Sequence, residues 1–112
     1  MGALKVIYME EALEFIESLP QSAGDKLYWV IHRIEGGERD IQLFKKLENT
    51  EIWEFRALYN KIAYRLFAFW DTDEGAFVIA THGIVKKTQK TPAKEIAKAE
   101  RIREKYFEAK QK

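Results

Sequence analysis

The chain has 112 residues, a mass of 13.2 kDa and a formal net charge of +1, which suits one small domain over residues 1–112. With 46% hydrophobic and 33% charged residues it is not wholly disordered, and the lack of cysteine excludes disulfides, thiolate zinc sites and cysteine nucleophiles. Its apolar runs are too short to cross a bilayer, and its first residues turn acidic too early for a signal peptide. We therefore expect a cytoplasmic protein with no membrane partner.

The first half of the chain is predicted to be one strand followed by two helices. Alternating apolar residues over 4–8 predict a short strand. Helical spacing predicts a helix over 10–19, which the following proline ends, and a second helix from a Ser22 cap to the Gly36 region. The polar segment 38–50 is predicted to be a loop.

Three further strands are predicted in the second half of the chain. Segments 52–59 and 62–71 are separated by Asn60-Lys61, which suits a two-residue hairpin because asparagine readily adopts the left-handed conformation. A four-residue turn at 72–75 then leads into the strand 76–85. We expect an α+β fold, in which a small antiparallel sheet with a mixed edge is accompanied by two N-terminal helices and a C-terminal helix.

The C-terminal segment is predicted to be a basic helix. Thr91 and Pro92 favour a helix start, and good helix formers continue to about Ala109. Residues 86–112 carry ten Lys and Arg against four Asp and Glu, whereas residues 1–85 carry nine against fourteen. This separation of charge indicates either a polyanionic or acidic partner, or a solvated lysine-rich helix.

The predicted turns bring a group of charged residues onto one face of the sheet. A two-residue hairpin sets Arg56 opposite Arg65, and a four-residue second turn sets Arg65 opposite His82, with Glu54 on the same face. Because like charges opposite each other repel, this arrangement indicates either an anion site or a structural cluster in which Glu54 bridges both arginines. The opposite face is predicted to form the core from Trp53, Phe55, Ala57, Tyr64, Leu66, Ala68, Trp70, Phe77 and Ile79.

These residue types suit phosphodiester cleavage without a metal. Guanidinium groups bind a phosphate and stabilise its developing charge, a carboxylate accepts a proton from the attacking hydroxyl, and a histidine donates one to the leaving oxygen. In RNA the attacking group is the 2′-hydroxyl of the substrate itself. We therefore predict Arg65, Arg56, Glu54 and His82 as catalytic residues and no cofactor. For His82 the alternative is a half-buried side chain with a structural role. The two histidines lie far apart with no spaced carboxylate cluster, so we expect no metal site.

Three segments resemble the phage-derived branch of the RelE/HigB toxin superfamily. They are IWEFR at 52–56, YRLF at 64–67 and THGIVKKTQKTP at 81–92, with EIAKAE following at 95–100. The resemblance implies a RelE-like fold and the toxin of a type II toxin–antitoxin system, a ribosome-dependent mRNA endonuclease that leaves a 2′,3′-cyclic phosphate. It also implies a helix-turn-helix antitoxin, the ribosome and mRNA as partners, with operator DNA bound only through the antitoxin complex.

The resemblance also implies roles for individual residues. Arg65 would stabilise the cleaved phosphate and Arg56 would contact it, while Glu54 and His82 resemble the acid–base residues of some members. Several members end soon after the last strand with a catalytic tyrosine or histidine, but here a long helix follows and Tyr106 lies deep within it. We expect RNA or ribosome contacts from Lys45, Lys46, Lys86, Lys87 and Lys90.

Two further expectations follow from these features. The alternative function is a non-catalytic RelE-fold binding protein, either a gyrase-directed relative or an inactive toxin that binds antitoxin or DNA. If the basic segment 86–112 serves mainly to contact RNA, its removal should weaken ribosome binding more than folding.

Overall fold

A mixed five-stranded sheet lies between two helices on one face and a third helix on the other. The computed structural model describes residues 3–73, 75–87 and 90–111. In chain order the elements are β1 (Lys5–Tyr8), α1 (Glu10–Ser18), α2 (Gln21–Glu35), β2 (Phe44–Lys46), β3 (Trp53–Tyr59), β4 (Ile62–Asp71), β5 (Phe77–Lys86) and α3 (Ala93–Lys110). The predicted α+β class, with two N-terminal helices and one C-terminal helix, is confirmed.

The strand order in the sheet is β1-β5-β4-β3-β2. β1 pairs in parallel with β5, and the other pairs are antiparallel, so the predicted mixed edge is present. β2 falls in the segment predicted to be a loop. It is only three residues long, and its stability comes from tertiary packing, because the buried ring of Phe44 stacks on Phe55 at a centroid distance of 4.4 Å.

The hairpin between β3 and β4 has the predicted register. Asn60 and Lys61 both adopt positive φ angles, 52° and 68°, as a tight primed turn requires. Tyr59 is therefore opposite Ile62, and three pairs further along the two strands Arg56 is opposite Arg65.

The turn between β4 and β5 is one residue longer than predicted. Asp71 pairs with Phe77 instead of Ala76. Because side chains alternate along a strand, this slip moves Phe77 and Ile79 to the face opposite the one predicted. The expectation that these two side chains share a face with Trp53 and Phe55 is wrong, and they pack beneath α3 instead.

A β-bulge midway along β5 reverses this change of face. Ala68 pairs with Ala80 but Phe67 pairs with His82, so Thr81 is the extra residue. The Thr81 side chain is buried, and its hydroxyl lies 3.4 Å from the carbonyl oxygen of Phe67. Beyond the bulge, His82 returns to the face that carries the arginines.

The larger core lies between α1, α2 and the sheet. It contains the buried apolar side chains of both helices and of the central strands, including Ile16, Leu27, Ile31, Phe55 and Leu66. Gly83 of β5 permits close packing here, because a Cβ atom at this position would overlap the ring of Phe15 from α1. A glycine is therefore required for α1 to approach the sheet this closely.

A second core lies between α3 and the opposite face of the sheet. Phe69 contacts Tyr106 and Phe107 at centroid distances of 5.1 and 5.7 Å, and Ala99 is fully buried. At the end of α3, the Tyr106 hydroxyl and the Lys110 ammonium donate hydrogen bonds of 2.6 and 2.7 Å to the buried Asp71 carboxylate. Since α3 covers apolar surface, segment 86–112 contributes to folding as well as to the positive charge of the chain.

Candidate active site

Two arginines and one carboxylate form the centre of the charged sheet face. Arg56 and Arg65 are direct cross-strand neighbours, and the carboxylate of Glu54 lies against both of them. The Arg56 Nε atom is 3.7 Å from Glu54 Oε2, and the Arg65 Nε atom is 3.5 Å from Glu54 Oε1. The side chains of Glu54 and Arg65 are 4% and 10% exposed, whereas that of Arg56 is 26% exposed. The structure therefore contains the cluster in which Glu54 bridges both arginines, which the sequence analysis gave as the alternative to an anion site.

The hydrogen bonding of the two arginines is incomplete. Arg56 Nη1 donates to the Ile41 carbonyl oxygen at 3.3 Å, and Arg65 Nη1 donates to the Tyr64 carbonyl oxygen at 3.2 Å. Both Nε atoms are buried and neither has a hydrogen-bond acceptor within the described residues, because Glu54 lies at ion-pair distance only. An unmade hydrogen bond of this kind costs about 1–3 kcal/mol, so an anion with well-placed oxygens would be stabilised here.

Positive charge predominates around this cluster. Lys45 of β2 lies opposite Glu54 of β3 in the strand register. Lys86, the last residue of β5, lies on the same face. Burial lowers the pKa of Arg65, with a further decrease from Arg56 and an opposing increase from Glu54. A cavity of about 160 Å³ lies beside the arginine pair, with lining residues that include Gln42, Arg56, Leu58, Ala63 and Arg65.

His82 lies on the predicted face but not beside the arginines. The longer turn and the bulge set it opposite Phe67, and Ile84 occupies the predicted place opposite Arg65. The prediction that His82 faces Arg65 across the strands is therefore wrong. The row across the sheet is instead Glu54, Phe67 and His82, so an aromatic ring separates the carboxylate from the imidazole.

The imidazole of His82 is enclosed by protein groups. The side chain is 2% exposed, with Nε2 at 3.2 Å from Glu95 Oε1 and Nδ1 at 2.9 Å from Thr81 Oγ1. Because a carboxylate only accepts, we assign the ring proton to Nε2 and let Nδ1 accept from the Thr81 hydroxyl. Burial lowers the pKa of His82, as does the nearby Lys98, while Glu95 and Glu11 oppose the shift. The neutral ring therefore has both nitrogens occupied.

The segment before α3 contributes Thr91, which the sequence predicts to cap the helix. Pro92 is the N-cap residue and no side chain caps the helix, so the predicted Thr91 cap is wrong. The Thr91 hydroxyl instead donates a 3.3 Å hydrogen bond to Glu54 Oε1. No local sequence signal indicates this contact, since it depends on how the segment after β5 folds back over the sheet.

The five predicted RNA-binding lysines do not form one surface. Lys45 and Lys86 share the arginine face, whereas Lys46 is opposite Trp53 on the other face, with its ammonium group 3.6 Å from a Glu51 carboxylate oxygen. Lys87 and Lys90 are exposed beyond β5. Residues 88 and 89, which belong to the family-like segment, lie outside the described residues.

Within residues 3–73, 75–87 and 90–111, no group of three or more histidine, aspartate or glutamate side chains is arranged to hold a metal ion. Across the same ranges, no helix combines the length and apolarity needed to cross a bilayer.

The sheet order, the helices on both faces and the cationic strand surface define a small α+β protein of the RelE-like kind. The family model described as phage-derived protein Gp49-like (DUF891) matches residues 14–104. The chain therefore belongs to the Gp49-like family, which is RelE-like and toxin-like. No curated protein matches the chain.

Proposed function

We propose that this protein is the toxin of a type II toxin–antitoxin system and cuts mRNA on the ribosome. The cut would proceed by attack of the 2′-hydroxyl on the adjacent phosphate, leaving a 2′,3′-cyclic phosphate and requiring neither metal nor cofactor. The observation that carries the proposal is the Arg56–Arg65 cross-strand pair, whose buried Nε–H groups lack hydrogen-bond acceptors.

The charges of the site agree with this chemistry. Two guanidinium groups supply donors to a phosphate whose negative charge grows as the pentacoordinate transition state forms. Glu54 is the carboxylate nearest both arginines and would accept the proton of the attacking hydroxyl. Lys45 lies on the same face and extends the positive potential along a bound strand of RNA.

Family membership supports the biological setting that we propose. A Gp49-like protein of the RelE-like kind would act in the cytoplasm, where a helix-turn-helix antitoxin would hold it inactive and bring it to operator DNA. The exposed Lys87 and Lys90 would contact ribosomal RNA or the message. We attribute DNA binding to the antitoxin complex and not to this chain alone.

The second candidate is a non-catalytic RelE-fold binding protein, either a relative directed against gyrase or an inactive toxin that binds antitoxin or DNA. Two observations favour it: Glu54 already forms ion pairs with both arginines, and His82 is enclosed beneath α3. A protein of this kind would leave mRNA intact. Glu54→Ala and His82→Ala would then change its stability without changing its biological effect.

Primer extension on a message undergoing translation in a reconstituted mixture separates the two candidates. Wild-type protein should produce discrete cuts that need ribosomes, and Arg65→Ala should abolish them while the protein stays folded by circular dichroism. Arg65→Lys retains the charge without the two-pronged donor geometry and should restore only part of the activity. Lys5→Ala, an exposed residue on the edge strand β1, is the matched control. Intact message with folded wild-type protein would overturn the nuclease proposal.

A further inference from the structure

Lys86 occupies a defined place beside the arginine pair. It pairs with Ala63 of β4, and Ala63 precedes Arg65 by two residues, so the Lys86 and Arg65 side chains are diagonal neighbours on one face. Such diagonal positions lie about 7–8 Å apart at the backbone, within reach of a lysine side chain. The Lys86 residue is half-buried, and Lys87, which follows it, is exposed.

The charged groups around Lys86 come from three neighbouring strands. Burial is the main factor that lowers the pKa of its ammonium group, and the positive charges of Arg65, Arg56 and Lys45 lower it further, while Glu54 opposes them. A lysine in this setting gives up its proton more readily than an exposed one. The same positive charges attract the phosphodiester, whose leaving oxygen must receive the proton.

The other candidate proton donors are less well placed. His82 has both ring nitrogens occupied by Thr81 and Glu95, and the ring is separated from Glu54 by Phe67. The Tyr106 hydroxyl donates to Asp71 at the far end of β4 from Arg65. Both groups would have to break existing contacts before they could reach a phosphate bound by the arginines.

We propose, on the basis of the function proposed above, that Lys86 is the general acid of RNA cleavage. As the 2′-oxygen bonds to phosphorus, its proton passes to Glu54, and the bond between phosphorus and the 5′-oxygen breaks. Lys86 donates a proton to that 5′-oxygen, so the products are a 2′,3′-cyclic phosphate and a free 5′-hydroxyl. Exchange with water then removes the proton from Glu54 and returns one to Lys86.

The test compares two RNA substrates in the ribosome-bound reaction. In the first, the leaving atom is the natural 5′-oxygen, and in the second it is sulfur, which departs as a stable thiolate without protonation. Loss of a general acid should slow cleavage of the oxygen substrate by about 10²–10⁴-fold. Lys86→Ala should therefore be slow on the oxygen substrate and close to wild type on the sulfur substrate.

Two variants control for electrostatics and for binding. Lys86→Arg retains the positive charge, but a guanidinium group holds its proton too tightly to transfer it. This variant should therefore cleave the oxygen substrate slowly and the sulfur substrate at the wild-type rate. Arg65→Ala removes phosphate stabilisation and should be slow on both substrates. Thermal melting of each variant confirms that it is folded.

Three results would overturn the inference. If Lys86→Ala is equally slow on both substrates, Lys86 only binds the phosphate, and if it cleaves oxygen RNA like wild type, Lys86 takes no part. If Lys86→Arg retains full activity, charge alone suffices. In all three the wild-type protein still cleaves RNA, so the proposed function stands. Failure of folded wild-type protein to cleave either substrate would instead overturn the proposed function and the general acid with it.

Discussion

The Thr91 hydroxyl donates a hydrogen bond to Glu54, which joins the start of α3 to the carboxylate between Arg56 and Arg65. The first turn of α3 supplies Glu95 to His82. The segment after β5 is thus part of the site, because it fixes one oxygen of the carboxylate and encloses the imidazole. Changes at this junction should therefore affect both stability and anion binding.

Replacing Glu54 with glutamine should reveal the anion preference of the arginine pair. Without the carboxylate charge, Arg56 and Arg65 repel each other, and we expect a loss of about 1–3 kcal/mol in the free energy of unfolding. Sulfate should restore more stability to Glu54→Gln than to wild type, because in the variant no carboxylate competes with sulfate for the two arginines. Melting temperatures across a sulfate series measure this, with Glu54→Gln/Arg65→Ala as the control. An equal sulfate response in all three proteins would contradict an anion site.

The Asp71 contacts at the end of α3 should make stability depend on pH in strong acid. Hydrogen bonds from Lys110 and Tyr106 lower the pKa of Asp71 from 3.8 to about 2. The folded state therefore binds this proton less readily than the unfolded state, so the contribution is complete above pH 3.8 and is lost as the pH falls towards 2. Urea unfolding between pH 2 and 6 should show a smaller acid dependence for Asp71→Asn.

Asp73→Asn is the matched control for this measurement. Asp73 also lies near Lys110, at 3.4 Å, but its side chain is 66% exposed. Its removal should leave the acid dependence nearly unchanged. Equal pH profiles for Asp71→Asn and wild type would show that the buried carboxylate contributes nothing.

Gly83→Ala should strain the packing of α1 on the sheet. The added methyl group would overlap the Phe15 ring, and overpacking of this kind costs about 1–3 kcal/mol. In a Phe15→Ala background the same substitution should cost close to nothing, because the overlapping ring is gone. A double-mutant cycle by urea unfolding measures the coupling. Additive effects on the free energy of unfolding would mean that the added methyl group clashes with a group other than the Phe15 ring.

Removing α3 should prevent folding as well as RNA binding. A chain that ends after Pro92 would expose the apolar surfaces of Phe67, Phe69 and Ile79, which α3 covers. We expect no cooperative thermal transition from it. The role of the basic surface is better tested with Lys94→Glu and Lys105→Glu, both exposed on α3, which should remain folded while ribosome binding becomes weaker and less sensitive to salt. A cooperative transition in the truncated chain would contradict the packing role.

Protonation of His82 should destabilise the fold. Burial and Lys98 lower its pKa below 6.5, so the unfolded state binds the proton more readily and stability falls as the pH drops below 6.5. Lys98→Gln removes the nearby cation and should raise the titration midpoint of His82, read from its imidazole resonance by NMR. The titration midpoint of His82 in wild type should lie below 6.5. A midpoint at 6.5 would show that burial does not disfavour the protonated imidazole.

The hairpin register was predictable because it depends only on local turn chemistry. Asn60 accepts the left-handed conformation, the loop length then sets Arg56 opposite Arg65, and alternation sets Glu54 on the same face. The second turn carries no equally specific signal for its length. The bulge at Thr81 also has no distinctive sequence signal, because it is defined by the pairing of β5 with β4.

The parts of the site supplied by tertiary packing were likewise not predictable. β2 exists because Phe44 is buried against Phe55, although two lysines, Lys45 and Lys46, follow it in the strand. The amphipathic pattern of α3 is weak, so charge dominates its sequence while Ala99 and Phe107 perform its packing. Glu95 encloses His82 because α3 packs on the sheet, and no sequence pattern within β5 indicates this contact.

The parallel pairing of β1 with β5 has a consequence for synthesis of the protein. Among the five strands of this sheet, β1 precedes the others along the chain and β5 follows them, and β5 lies between β1 and the rest of the sheet. During translation, α1 and α2 therefore emerge before most of the sheet against which they pack. Contacts between sequence-distant strands form slowly, so the local β3–β4 hairpin that carries the arginine pair forms before β1 joins the sheet, which requires β5 to have been made.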